Sequence, residues 1–385
     1  MPPRKFLPLI IFLAFLGTVL AYVLYDLTPI RNDMTDFQVC FQGGKRILAG
    51  ETLYRPSDGH LQNKYSPFSA VLFSLFTVVP YETAKILWYY LEWIFLAGAF
   101  YLSLRLLPVR NKSAIFLIGF SLLILAKFIG REFELGQINT LIIFLLTFSL
   151  GRSLAGEEAK GGLAYGFSLF FKPYALIFLP YFLLKKKFKL VAVGVVTLLF
   201  GLWLPAAFYG FRGNLLVLKE WVSTLSSSTP ALLTAGDNAS LWALIFKHVN
   251  GGTGILDELL ILLVFLLLAF AFLKMMKTGR AANLDKPEVL EASFLFILIP
   301  FLSPLGWYYN YLYAVPAIML LLNSFDRFQP VWKSILIADF LIIGGSLREV
   351  LGKEIFRFYT HQSLVVINFL VLVFFLFYGR AKKYF

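Results

Sequence analysis

Long apolar runs alternate with short polar segments along almost the whole of this 385-residue chain. A helix needs about 20 mostly apolar residues to cross a lipid bilayer. The runs predict twelve spans, several of them short, at 6–27, 67–80, 82–107, 114–130, 137–152, 161–184, 190–209, 255–274, 288–304, 308–323, 332–347 and 362–379. The pattern therefore predicts an all-α integral membrane protein, with residues 1–385 forming a single polytopic domain of about 12 transmembrane helices.

Composition and charge support this class and help to orient it. Hydrophobic residues make up 59% of the chain and charged residues 15%, whereas soluble proteins carry about 25% charged residues. The net charge is +13, and many basic residues lie between apolar runs, as in 185–189 and the C-terminal tail. Because basic loops stay on the cytoplasmic side, both termini are predicted to be cytoplasmic. The charge then indicates contact with anionic lipid, and no nucleic-acid partner is expected.

Two details qualify this topology. The run 6–27 is too long for a signal peptide and lacks a small-residue cleavage site, so it is predicted to be a retained first span. Arg110 and Lys112 fall in an outer loop, against the bias of basic residues toward the cytoplasm. A count that differs by one pair of spans around residues 108–160 therefore stays open.

Two polar segments, 28–66 and 210–253, are predicted to form large loops on the outer side. The first contains a stripe of apolar or small residues at helical spacing: Phe37, Cys40, Phe41, Gly44 and Leu48. This spacing predicts an interfacial amphipathic helix, capped by Thr35 or Asp33 and ended by Gly50. Cys40 is the single cysteine, which excludes an intrachain disulfide, and it is predicted to be a small buried residue.

Asp36 lies in or beside the first turn of this helix, where the helix dipole favours an ionised carboxylate. A carboxylate held at the membrane surface is suited to deprotonating a hydroxyl as a general base. Asp33 is a second candidate close by. The alternative is that both aspartates only cap the helix.

Polar side chains inside the apolar runs are further candidates, because burying charge in lipid is costly. Lys172, which precedes Pro173, could contact a phosphate group or could extend to the membrane interface from a kinked helix. Gln137 and Asn139 open a predicted helix. Their amides could bind a sugar or phosphate, or could bond to neighbouring spans.

Other charged groups are assigned structural roles. Lys127 is predicted to form an internal ion-pair cluster with Arg131, Glu132 and Glu134, and Asp339 is a further ionisable residue within a span. The three histidines are too scattered for a metal site, so none is expected; they are His60, His248 and His361.

The later polar segments supply candidates for sugar binding. Asn238 and Ser240 precede an apolar run, which indicates a capped re-entrant or interfacial helix. Asn238 and Trp242 could contact an acceptor sugar, although membrane-interface anchoring explains Trp242 equally well. A third set follows Ser303-Pro304 and could form a sugar platform or part of an aromatic belt: Trp307, Tyr308 and Asn310.

Six motifs occur in order between residue 36 and about residue 311. They read "DFQVCFQGGKRILAGETLY", "KYSPFSAVLFSLFTVVP", "GQINTLIIFLL", "GFSLFFKPYALIFLPYFLLKKK", "DNASLWALI" and "SPLGWYYNY". Together they resemble glycosyltransferase family 87, the polyprenyl-phosphate-mannose-dependent mannosyltransferases of the GT-C superfamily. Each motif alone is weak, and their order carries the resemblance. The chain departs from the family pattern at Cys40, where a Tyr is usual, and at Tyr308, where many relatives have His.

This resemblance implies a GT-C-type helical bundle that transfers a sugar, expected to be mannose, from a polyprenyl-phosphate-linked donor to an acceptor hydroxyl. Asp36 would be the base of an inverting reaction at the outer face of a bacterial cytoplasmic membrane. The expected partners are the lipid-linked donor, membrane lipids and a glycolipid or glycan acceptor; no cofactor is expected. The implied donor-binding residues are Lys172, Gln137, Asn139 and Tyr65.

Two other functions stay open at this point. The first is a transporter or flippase of lipid-linked sugars, which would have paired broken spans and binding groups near the midplane. The second is a GT-C transferase that uses another polyprenyl-phosphate sugar. The polar motifs cluster at one predicted face, which favours an enzyme acting at the interface.

Overall fold

The computed structural model describes residues 33–249, 254–281 and 286–385. Within these ranges the chain is helical, with no β-strand beyond one antiparallel bridge between Asn238 and Trp307. The predicted first span, 6–27, lies outside the described residues. The all-α fold class is confirmed for the described part of the chain.

The described residues form sixteen α-helices joined by short turns and 3-10 segments. In chain order they are α1 Thr35–Leu48, α2 Pro67–Phe73, α3 Tyr81–Leu106, α4 Ala114–Leu135, α5 Asn139–Leu154, α6 Glu158–Phe171, α7 Phe178–Leu184, α8 Phe188–Trp203, α9 Ala206–Leu232, α10 Leu241–His248, α11 Ile255–Ala281, α12 Pro287–Leu302, α13 Val315–Asn323, α14 Pro330–Gly345, α15 Arg348–His361 and α16 Val365–Ala381.

Fewer helices than predicted have the length and apolarity to cross a membrane. Among the described residues there are three, Tyr81–Leu106, Ala114–Leu135 and Ile255–Gly279, and up to five if each of two bent pairs is one span. The bent pairs are α8 with α9, at 95°, and α15 with α16, at 69°. Several other apolar helices, such as α5, have only 16 residues. The predicted twelve spans are therefore not confirmed.

α1 has the predicted amphipathic form and packs against the bundle. Phe37 is fully buried and stacks on Trp88 of α3, with 5.7 Å between ring centroids. A Cβ at Gly44 would lie 2.7 Å from the backbone nitrogen of Ser74, so α1 and the α2 segment are in backbone contact there. Cys40 is buried, as predicted. The stripe of α1 therefore faces protein from Phe37 to Gly44, whereas Leu48 at its end is exposed.

The two ends of α1 differ from each other in how well they were predicted. Gly50, with φ 65°, follows the last turn, and the N–H of Glu51 donates to the Arg46 carbonyl. This is a glycine-ended helix, as predicted. The predicted caps are wrong, because Met34 occupies the N-cap position in a left-handed conformation and no side chain caps the helix.

A break in the chain follows α6. Lys172 has extended backbone angles, φ −144° and ψ 137°, between α6 and the 3-10 segment Pro173–Ile177. A residue before proline is disfavoured in the helical region, which explains why the helix stops there. The predicted continuous span 161–184 is therefore two helical pieces, and Lys172 lies at the junction.

α12 separates two polar regions of the protein. At its N-terminal end, Lys185 forms ion pairs with Glu288 at 3.2 Å and with the fully buried Glu291 at 2.6 Å. Tyr181 also donates to Glu291, at 3.2 Å. We call Tyr181, Lys185, Glu288 and Glu291 the Lys185 cluster. Beyond the other end of α12, about 24 Å away for 16 residues, the chain enters the 3-10 segment Tyr308–Ala314.

The predicted ion-pair cluster around Lys127 does not form. Lys127 donates to the Ser346 hydroxyl and lies 4.8 Å from the centroid of the Tyr359 ring. Arg131 pairs with Glu134 at 2.6 Å. Glu132, five positions after Lys127, projects about 140° away from it around α4, and Glu134 is already paired with Arg131.

Candidate functional site

Gln137 joins residues from four distant parts of the chain. Its Nε2 donates to Oδ2 of Asp36 and lies 3.2 Å from the Tyr309 hydroxyl. Its Oε1 accepts from Lys172 Nζ at 2.8 Å and from the Tyr65 hydroxyl at 3.3 Å. One buried amide therefore connects a carboxylate to a lysine.

Asn139 makes the second connection to the same lysine. Its Oδ1 accepts from Lys172 Nζ at 3.1 Å and from the Tyr313 hydroxyl at 2.9 Å. Its Nδ2 donates to Glu132 Oε2 at 2.7 Å. Glu132 also accepts the backbone N–H groups of Asn139, at 2.6 Å, and Thr140, at 3.2 Å, and so caps the start of α5. These contacts fix both Asn139 and the helix that carries it.

We call this connected set the site network: Asp36, Tyr65, Glu132, Gln137, Asn139, Lys172, Tyr309 and Tyr313. Local structure explains how the sequence assembles it. Gly136, with φ 65°, ends α4 and turns the chain into α5, placing Gln137 and Asn139 beside Glu132. The break after α6 places Lys172 opposite them, and α1 supplies Asp36 from its first turn.

Lys172 is enclosed by aromatic rings and amide oxygens. Its Nζ lies 5.6 Å from the ring centroid of Tyr174 and 6.0 Å from those of Tyr65 and Tyr309. Across the described residues Lys172 has no ion pair with a carboxylate. Its positive charge is held by neutral oxygens and ring faces, an arrangement that also suits an anionic ligand.

Asp36 is only partly buried, and within the described residues only its Oδ2 accepts a hydrogen bond. Burial raises the pKa of the Asp36 carboxyl above its usual value, while the charge of Lys172 and the hydrogen bond from Gln137 offset part of that rise. A carboxylate with a raised pKa is a stronger proton acceptor than an ordinary one. The Asp36 carboxylate can accept a proton from a hydroxyl that approaches it.

Five predicted site residues are therefore brought together, namely Asp36, Tyr65, Gln137, Asn139 and Lys172. Asp33, in contrast, is exposed, and its backbone carbonyl accepts from the Tyr81 hydroxyl. Its side chain takes no part in the site network.

The predicted acceptor-binding residues in the second outer segment occupy structural positions. Asn238 is fully buried, and its Nδ2 donates to the carbonyl oxygens of Leu233 at 3.0 Å and Pro304 at 2.8 Å. Trp242 donates to the Leu302 carbonyl at 3.3 Å. Both side chains bond to the polypeptide backbone, and they tie α10 to the end of α12. Ser240 caps α10 through the Ala243 N–H, as predicted for this helix.

The residues after Pro304 lie beside the site network. Asn310 is fully buried next to the Tyr174 hydroxyl, whose ring contacts Lys172. The Tyr308 ring packs against Tyr309 at 5.9 Å, and Trp307 forms the backbone bridge with Asn238.

Sequence reasoning missed three members of the site network. Glu132 was grouped with Lys127, and Tyr309 and Tyr313 were not singled out. The available signals were the spacing of Glu132 before the glycine turn and the position of Tyr309 within the motif that begins at Ser303. Among the ranges the structure describes, no three His, Cys, Asp or Glu side chains are grouped as metal ligands.

Comparison with known proteins identifies the class of protein that carries this site. The model of glycosyltransferase family 87 matches residues 63–304, which is more than half of the chain. The chain therefore belongs to glycosyltransferase family 87, and it is a membrane glycosyltransferase. No curated protein and no solved structure matches the chain. The matched range contains Gln137, Asn139 and Lys172, whereas Asp36 and Tyr309 lie outside it.

Proposed function

We propose that this glycosyltransferase moves a sugar from a polyprenyl-phosphate donor to an acceptor hydroxyl at the outer face of a bacterial cytoplasmic membrane. In this proposal Asp36 is the general base, the reaction inverts the anomeric carbon, and the sugar is mannose. The acceptor is a glycolipid or a glycan.

The observation that carries the proposal is the Asp36–Gln137–Lys172 connection. A transferase of this kind needs a base for the attacking hydroxyl and a positive group for the departing phosphate. Gln137 holds the two groups at a fixed separation, bonded to the carboxylate through its nitrogen and to the ammonium through its oxygen. The sugar would lie beside the Gln137 amide, with its phosphate toward Lys172 and its anomeric carbon facing the acceptor hydroxyl held by Asp36.

Lys172 is the proposed contact for the donor phosphate. Lysine provides a compact positive charge, and within the described residues its hydrogen bonds go to the neutral amide oxygens of Gln137 and Asn139. Charge develops on the phosphate oxygen as the bond to the sugar breaks, and a nearby ammonium group stabilises that charge. The isoprenoid chain of the donor would remain in lipid, which explains why the site is built among apolar helices.

Two basic regions support an outer location for the site. Lys185, at the start of the basic run 185–189, contacts the N-terminal end of α12. Arg380, in the basic C-terminal tail, donates to the Pro287 carbonyl at the same end, at 2.9 Å. The bias of basic residues toward the cytoplasm assigns this end to the inside. The site network, beyond the opposite end of α12, would then face outward.

The decisive variant is Asp36→Asn, assayed in lipid nanodiscs with radiolabelled polyprenyl-phosphate mannose and a membrane glycolipid extract as acceptor. We expect transfer to fall by about 10²–10⁴-fold, the usual contribution of a general base. Asp33→Asn is the matched control, because Asp33 is an exposed acid three residues away, and it should retain activity within about threefold.

Retention of most activity by Asp36→Asn would reject Asp36 as the base. In sealed proteoliposomes, labelled polyprenyl-phosphate mannose that crosses the bilayer unchanged would identify a transporter instead. Transfer that occurs only with a different sugar on the donor would leave the site assignment in place and reject mannose.

A further inference from the structure

A cavity lies on the polar flank of α1, beside the site network. Its volume is about 130 Å³, and it is lined by Gln38, Val39, Gln42, Arg46, Asp58, Leu61 and Asn63. Three of these residues, Gln38, Gln42 and Arg46, recur every fourth position, so they project from one face of α1. No role in the reaction has been given to this face.

The cavity lies along the flank of α1 next to the face that carries Asp36, because Val39, one of its lining residues, is three positions after Asp36 and so is its neighbour on the helix surface. With a rise of 1.5 Å per residue, Gln42 lies about 9 Å along the helix axis from Asp36. Asn63, on the opposite wall, is also connected to the site network. Its side chain accepts the Tyr65 backbone N–H at 3.0 Å, and the Tyr65 hydroxyl bonds to Gln137. Val39 on one wall and Asn63 on the other therefore connect the cavity to the site network.

One wall of the cavity is held in place by an ion pair, and the amides of Gln38 and Gln42 are available to a ligand within the described residues. Arg46 holds Asp58 through two hydrogen bonds, at 2.5 and 2.9 Å. Within the described residues, the side chains of Gln38 and Gln42 make no hydrogen bond. Amides that both donate and accept can bond to neighbouring sugar hydroxyls, and Val39 and Leu61 provide an apolar surface for a ring face.

We propose that this cavity is an acceptor subsite that binds the sugar next to the one being glycosylated. The inference rests on the proposed function, since it requires Asp36 to activate the acceptor hydroxyl. It adds that the acceptor is a glycan of at least two sugars, whose terminal sugar reaches Asp36 while Gln38, Gln42 and Asn63 bind its neighbour.

The test uses the full-length protein in nanodiscs with the polyprenyl-phosphate mannose donor and octyl glycosides that carry one, two or three sugars. For the wild type, we expect the acceptor KM to fall about tenfold from one sugar to two, and little further with the third. Gln42→Leu should raise the KM for the two-sugar acceptor to that of the one-sugar acceptor and leave the one-sugar KM unchanged.

Two controls separate a local effect from a loss of folding. Gln38→Leu should reproduce the result, since it removes the second amide of the same face. Gln329→Leu, at an exposed glutamine at the start of α14, should leave every KM unchanged. The melting temperature of each variant is measured in the same nanodiscs.

A wild type whose KM does not depend on acceptor length, or that uses none of these acceptors while still releasing polyprenyl phosphate, would overturn the subsite. An equal rise in KM for all acceptors with Gln42→Leu would also overturn it. If the wild type consumes no donor at all, the proposed function itself fails, and that result differs from a failure of the subsite alone.

Discussion

Two partly buried lysines, thirteen positions apart in the chain, lie in contrasting surroundings. Lys185 contacts the carboxylates of Glu288 and Glu291 directly. Lys172 contacts the amide oxygens of Gln137 and Asn139, and each amide in turn bonds to a carboxylate. The first lysine is neutralised by contact, whereas the second is separated from its nearest negative charges by one side chain.

In the proposed reaction, this difference separates a lysine with a structural role from a lysine that contacts the donor phosphate. A buried ion pair in direct contact is costly to break, because either partner left alone is an unpaired buried charge. An ammonium group bonded to neutral amides keeps its charge available for an incoming phosphate. Within the described residues, the intervening amides also leave the Asp36 carboxylate without a direct ion pair, which suits a proton acceptor.

The largest effect that tests this contrast is expected from Lys172→Met. Removal of a group that stabilises charge in the transition state costs about 10²–10³-fold in rate, so transfer should fall by about that factor. Lys185→Met, the matched control, should keep its activity per folded molecule within about threefold and lose about 3 kcal/mol or more of stability. Activity in labelled-donor assays and melting temperature are the two measurements. If the Lys172→Met protein were as active as the wild type, Lys172 would have no role in transfer, and the proposed difference between the two lysines would be wrong.

A smaller effect is expected from Gln137→Leu, which keeps the side-chain volume similar and removes both connections. Asp36 and Lys172 are both retained, but the amide that sets their separation is lost. Small errors in the placement of reacting groups can cost about 10²-fold, and we expect a loss of about this size in kcat with KM for the donor less affected. A loss confined to KM would show that Gln137 binds the donor and does not position the base.

The smallest effect is a shift in pH dependence. Because Asp36 must be unprotonated to act as a base, the rate should fall about tenfold for each pH unit below its pKa. Lys172 and the Gln137 hydrogen bond both lower the pKa of Asp36. Lys172→Met and Gln137→Leu should therefore move the acid limb of the pH–rate profile to higher pH, while Lys185→Met should leave it in place. A shift to lower pH would contradict the assignment.

Much of the fold was predictable because hydrophobic periodicity is a local property. The stripe from Phe37 to Leu48 predicted α1, and Gly50 predicted its end. The number of spans was not predictable in this way. Apolar composition does not reveal whether a run such as 161–184 is continuous, and the extended backbone at Lys172 divides this one.

The site was predictable only in part, for a related reason. Motif order selected Asp36, Gln137 and Lys172, which the fold brings together. Glu132 was assigned to a neighbouring lysine because the two lie close in sequence, although a helix directs them to different sides. Asn238 has the polarity of a sugar-binding residue, yet its amide bonds to backbone carbonyls that are distant in sequence and cannot be recognised from its own segment.

The backbone contact at Gly44 has a consequence for how this enzyme can work. There is no room for even a methyl group between Gly44 of α1 and the backbone of Phe73 and Ser74. The helix that carries Asp36 is therefore held in close contact with this part of the chain. We expect α1 to keep its position against the backbone at Phe73 and Ser74 when the reactants bind. If Asp36 is the base, turnover should then depend on how the substrates reach it and not on a movement of α1.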